Sequence, residues 1–188
     1  MKTTYDLLLV IDFQNVYTPD ADWACPSMPE AVRNTCKLID SGTVDEVILT
    51  KFVAPDPAIG TWEQYNQENE SINNNEWLNE LVPEMKPYAE KYPVYEKSTY
   101  TSMRVPEIME AAHRADRVLL AGVVAECCIL ATLMEAIDDG HKMVYLTDCV
   151  SGQSDATEAA IKTIAESFAP VHTEVIDSKS WIERELTK

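Results

Sequence analysis

The sequence is short of positive charge: 15 Lys plus Arg stand against 32 Asp plus Glu, for a formal net charge of −17. A field of that sign repels phosphate backbones and anionic lipid head groups, so neither nucleic acid nor a membrane is an expected partner. Long apolar runs are also missing. The stretch MKTTYDLLLVIDF holds five uninterrupted apolar residues before Asp12, far fewer than a signal-peptide core or a membrane span needs, and the expected location is the cytoplasm. The five cysteines (Cys25, Cys36, Cys127, Cys128, Cys149) show no CxxC or CxxH spacing. That excludes the usual disulfide framework and zinc knuckle and leaves reduced thiols.

What is present is an alternating α/β pattern. With 188 residues, 46% of them hydrophobic, the chain has material for one domain spanning 1–188 and too little for two. Apolar runs of strand length fall at 5–13, 45–52, 92–97, 116–123, 141–148 and 169–176. Helical spacing occupies 28–42 and 127–140, both ending on glycine, and 156–168, preceded by Ser154 and Asp155 as candidate N-caps. Strands that are apolar throughout are covered on both faces, and strands alternating with helices imply parallel crossovers. The expectation is a three-layer α/β/α domain around a mostly parallel sheet of six strands. One segment breaks the rhythm: 55–77, PDPAIGTWEQYNQENESINNNEW, is polar, and its Trp62 and Tyr65 mark it as an irregular lid or interface.

Ligands of open parallel sheets bind at the carboxyl ends of the strands. The polar residues there are Asp12, Gln14 and Asn15; Lys97, Ser98 and Tyr100; Glu126, Cys127 and Cys128; and Thr147 and Asp148. A carboxylate, an amine and a thiol on one edge can build a nucleophilic site, provided the thiol is activated, since a free Cys is mostly protonated at neutral pH. The three histidines (His113, His141, His172) lie before or at the start of strands, on the opposite edge, which disfavours a Cys-His dyad. Asp12 remains as base and Lys97 as the cation. Between the two adjacent thiols, spacing offers one hint: Cys127, Leu130, Met134 and Ile137 share an apolar stripe, which makes Cys127 a packing residue.

VIDFQN at 10–15, Lys97 within YEKSTY, GVVAECCILAT at 122–132 and the following LTD together resemble the isochorismatase-like cysteine hydrolases, among them nicotinamidases, N-carbamoylsarcosine amidases, ureidoacrylate amidases and biuret hydrolases. The resemblance covers nearly the whole chain. It implies sheet order 3-2-1-4-5-6 and an Asp, Lys, Cys triad at Asp12, Lys97 and Cys128, the nucleophile falling on the second thiol because Gly122, Val123 and Glu126 match the third motif. It also implies a cis peptide between Val123 and Val124 and an oxyanion hole from the amides of Val124 and Cys128. Homodimers or homotetramers are the implied assemblies, with segment 55–77 over the active site, its own or a neighbour's.

Two departures from the family pattern bear on substrate. Relatives that act on nicotinamide carry Thr-x-Asp-x-His after the second strand, whereas this chain reads Thr50-Lys51-Phe52-Val53-Ala54, so no metal and no other cofactor is expected. Ala125 replaces the usual Thr before Glu126. The implied activity is hydrolysis of a small amide or ureide C–N bond through a thioester, with Phe13, Gln14, Trp62 and Tyr100 as substrate-binding candidates. A non-catalytic binding protein on the same fold is the alternative, as is vinyl ether hydrolysis, against which the thiol of Cys128 speaks.

Overall fold

A computed structural model describes residues 4–188. In chain order the elements are β1 (Asp6–Ile11), α1 (Met28–Asp40), β2 (Glu46–Phe52), three short helices α2 (Thr61–Glu68), α3 (Glu70–Asn73) and α4 (Glu76–Asn79), then α5 (Lys86–Ala89) and β3 (Val94–Lys97). There follow α6 (Pro106–Arg114), β4 (Arg117–Gly122), a π-helical turn (Ala125–Ile129) running into α7 (Leu130–Asp138), β5 (Met143–Val150), α8 (Asp155–Ser167), β6 (Thr173–Ile176) and α9 (Ser178–Leu186). All six strands pair in parallel, in the order β3-β2-β1-β4-β5-β6. The three-layer α/β architecture and the strand order agree with the sequence reading.

The unbroken apolar strands explain the layers. On β1, Leu8 and Val10 join a core with α1, α9 and the Trp181 side chain, while Leu7, Leu9 and Ile11 join a second core with α6, α7 and α8. Every β1 residue is buried because both faces are covered. Helix α8 starts where expected: Ser154 Oγ accepts from the Thr157 amide at 3.2 Å, and Thr157 Oγ1 accepts in return from the Ser154 amide at 3.1 Å.

Three expectations change. Segment 55–77 is largely helical, forming α2, α3 and the start of α4, because asparagines bind backbone: Asn75 Oδ1 accepts from the Leu78 amide at 3.1 Å, and Asn79 Nδ2 donates to Ile72 O at 2.8 Å. Helices α6 and α9 were not separated in the sequence reading, although Ile108, Ala111 and Ala112 give α6 a buried face at helical spacing. Thr147 and Asp148 lie inside β5 rather than past its end. Asp148 holds the start of α9, accepting from the Ser178 amide and hydroxyl, each at 2.7 Å.

Gly122 sets the approach of β4 to β1. It has φ +130°, and a Cβ built there would lie 2.1 Å from Ile11 O. No other residue fits so close to a neighbouring backbone. The end of β4 is thereby pressed against the end of β1, at the point where the strand order reverses.

Candidate active site

Asp12 is the first residue beyond β1. Its φ of 55° is left-handed, a conformation Asp tolerates better than most residues at a cost of about 1–3 kcal/mol. Its carboxylate is fully buried. Oδ1 accepts from Thr50 Oγ1 on β2 at 2.6 Å, and Oδ2 lies 2.6 Å from Lys97 Nζ at the end of β3. Lys97 therefore reaches across β2 to the central strand. Its ammonium also donates to Thr99 O at 3.1 Å and Tyr100 O at 3.2 Å, and stands 5.5 Å from the centroid of Phe52. Burial works against the charge of Lys97, but Asp12 and the Cys128 sulfur outweigh it and its pKa is raised.

Cys128 arrives from the other half of the sheet, on the π-helical turn after β4. It is 2% exposed, and its thiol lies within electrostatic reach of the Asp12 carboxylate and the Lys97 ammonium. The structure thus brings the three groups expected from sequence together at the carboxyl edge. Burial and the Asp12 carboxylate push the thiol pKa up, against the opposing pull of Lys97. Both effects favour the protonated thiol over the thiolate.

The backbone of the corner is held by four bonds: the Val123 amide to Ile11 O at 2.9 Å, Ala125 to Ser151 O at 2.9 Å, Cys127 to Val124 O at 3.0 Å and Ile129 to Val124 O at 3.2 Å. None of these uses the amide of Val124 or Cys128. The Val123–Val124 peptide is cis. Cys127, expected as a packing residue, packs against both cores and also lines the cavity beside Cys128.

That cavity, about 130 Å³ and open to solvent at its mouth, has Cys128 in its lining. Five aromatic rings line it: Tyr17, Trp23, Phe52, Tyr65 and Tyr100. Trp62 stands behind them, 5.0 Å from Tyr65 and 5.3 Å from Tyr100 between centroids. Helix α2 therefore closes over the cavity of its own chain. Of the four residues expected to touch substrate, Tyr100 is at the wall and Trp62 supports it. Phe13 is instead wholly buried in the core. Gln14 has its amide engaged, Nε2 with Phe52 O and Asn79 O and Oε1 with the Phe52 amide, which fixes the end of β2 rather than facing a ligand. Trp77, at the start of α4, is 61% exposed.

Sequence reasoning did not single out Thr50, Tyr17, Trp23 or Gln153 for the site. Thr50 had a signal, as a hydroxyl inside the apolar strand EVILTKF. The others come together only in the fold. Phe52 had been noted for standing where metal-binding relatives have a carboxylate; its ring is part of the wall. Among the described residues, no group of three or more His, Cys, Asp or Glu could hold a metal. His141 and His172 precede β5 and β6, and His113 lies 5.0 Å from His141, all at the opposite edge.

A family model, the isochorismatase domain, matches residues 6–174. The chain belongs to the isochorismatase family. No curated protein matches the sequence. Among solved structures, the fold is similar to a cysteine hydrolase from Pseudomonas syringae pv. phaseolicola (TM-score 0.82, 16% identity, covering 100% of this chain and 95% of that one). It is equally similar to an isochorismatase family protein from Desulfovibrio vulgaris (TM-score 0.82, 17% identity, 99% and 100% covered). A ribonuclease from Caenorhabditis elegans also matches, with TM-score 0.71, 19% identity, and 100% and 84% covered. At these identities the likeness speaks for the fold of the family.

Proposed function

We propose that the protein hydrolyses the C–N bond of a small amide or ureide with Cys128 as nucleophile. The observation that carries this reading is the convergence of Asp12, Lys97 and Cys128, all buried beside a cavity that suits a small molecule. Asp12 takes the thiol proton as the sulfur attacks the carbonyl carbon, and Lys97 holds the carboxylate in place. The developing oxyanion is met by the amides of Val124 and Cys128, at the start of the π-helical turn. Asp12 then returns its proton to the leaving nitrogen and the C–N bond breaks. Water next attacks the thioester, its proton passing through Asp12 back to sulfur, and the acid is released. A thiol with raised pKa suits this sequence, because proton transfer accompanies attack and no free thiolate is needed.

The net charge of −17 disfavours a polynucleotide substrate and leaves a small molecule. The test is ammonia release from a panel of small amides and ureides. At least one should be turned over by the wild type and by no Cys128→Ala protein; ammonia release that survives Cys128→Ala would overturn the assignment.

A further inference from the structure

The chemistry of the cavity wall narrows what it can hold. None of the nine lining residues is Lys, Arg or His. The nearest cation, Lys97, is already neutralised by Asp12 and bonded to two carbonyls. A carboxylate or phosphate on the substrate would lose its water there with no counter-ion. The lining rings take several orientations: Phe52 and Tyr65 are inclined by 90°, Trp23 and Tyr65 by 40°, and Tyr17 and Trp23 by 37°, while Phe52 and Tyr100 are within 21° of parallel. Five rings in these orientations surround the cavity as a box rather than as two parallel walls for one flat ring. Boxes of this kind offer negative ring faces to a rounded cation.

A second observation is independent of the rings. Gln153, one of the lining residues, is tied through its amide to Glu126 Oε1 at 3.2 Å, while Glu126 Oε2 is buried and has no hydrogen-bond partner. A carboxyl group with one oxygen unsatisfied, on the side of Gly152, thus stands beside the wall residue Gln153 and adds to the negative potential around the cavity. The net charge of −17 acts in the same direction at long range, drawing cations toward the protein.

We propose that the substrate carries a small alkylammonium group, quaternary or tertiary, which the aromatic box binds while the adjoining amide carbonyl meets Cys128. This rests on the hydrolase reading for the reacting half of the molecule and on the box alone for the charged half. Hydrolysis creates a carboxylate in a cavity without a counter-cation, which favours release of the product acid.

The two halves are tested separately. Binding of tetramethylammonium chloride to the wild-type protein, followed by tryptophan fluorescence against sodium chloride at equal ionic strength, should be saturable. It should weaken about tenfold in Tyr65→Leu and in Tyr100→Leu. Turnover of betaine amide should exceed that of its neutral isostere, in which carbon replaces the quaternary nitrogen, by about tenfold or more in kcat/KM, and the advantage should shrink with added salt. Saturable tetramethylammonium binding with no ammonia release from either amide or from any member of the panel of small amides and ureides leaves the box standing and removes the hydrolase reading. Equal or faster turnover of the neutral isostere, or absence of saturable tetramethylammonium binding, overturns the alkylammonium assignment while leaving the hydrolase intact.

Discussion

The two ends of β1 carry the same kind of feature with opposite consequences. At the start, the buried Asp6 accepts from Arg117 in a two-pronged pair, Nε to Oδ1 at 2.6 Å and Nη2 to Oδ2 at 2.7 Å. Arg117 also reaches Glu185 at 3.3 Å and covers the Trp181 ring at 4.3 Å. Every prong is engaged, and α9 is tied to the sheet. Past the other end, the equally buried Asp12 holds Lys97 by a single contact and keeps a thiol as neighbour, beside an open cavity. A closed arginine pair fixes a structure. A lysine pair next to a thiol and a cavity has somewhere for a proton to go. The kind of ion pair does not separate structure from chemistry; its unfilled side does.

The largest expected effect is on turnover. Cys128→Ala should lower kcat by about 10⁴-fold or more with the fold retained, since a nucleophile has no substitute at that point. Residual activity within tenfold of wild type would place the chemistry elsewhere and erase the contrast between the two ends. Next come the two aspartates. Asp6→Asn and Asp12→Asn each leave a buried cation short of a partner and should each cost about 3–5 kcal/mol in denaturant unfolding. Only Asp12→Asn should also abolish turnover in the folded protein; equal kinetic damage from Asp6→Asn would break the comparison.

Titration separates the ends further. Burial and Asp12 raise the Cys128 thiol. Its alkylation by iodoacetamide in the absence of substrate should therefore be slow at pH 7 and climb steadily into the alkaline range, as followed by peptide mass spectrometry; a plateau below pH 8 would mean a thiolate at rest. At the other end, burial alone would raise Glu185, but Lys188 and Arg117 hold its pKa at about 2. A depressed carboxyl pKa contributes stability that is present above the unfolded value and lost as pH falls toward the folded one. Glu185→Gln should therefore flatten the loss of stability between about pH 4.5 and 2 while leaving turnover at neutral pH unchanged. The smallest effect is expected from Thr50→Val, which removes one hydrogen bond to Asp12: about 1 kcal/mol of stability and roughly a tenfold loss in kcat with KM little changed.

Several features were legible because they are local or periodic. The apolar runs marked β1, β2, β4 and β5, and Ser154 marked the start of α8, since burial pattern and capping act over a few residues. Asp12, Lys97 and Cys128 stood out as polar residues at strand ends, and the resemblance of their flanking motifs chose Cys128 over Cys127. The helices in 55–77 were hidden because their Asn side chains stabilise them through specific backbone bonds that composition does not reveal. Gln14 and Phe13 misled for a related reason: a residue just past a strand can turn inward or outward, and the left-handed Asp12 sends these two into the interior.

The sequence by itself determined the layer order of the fold, the absence of a positive field, and which side chains could do chemistry, because each depends on residue type and spacing along the chain. Only the tertiary structure decided that Lys97 crosses a strand to meet Asp12, that the Cys128 thiol is raised rather than lowered, and that aromatic rings from four separate segments, at Tyr17 and Trp23, Phe52, Tyr65 and Tyr100, close around one cavity. Those outcomes depend on burial and on distances between residues far apart in sequence, set by the packing of β4 against β1 at Gly122.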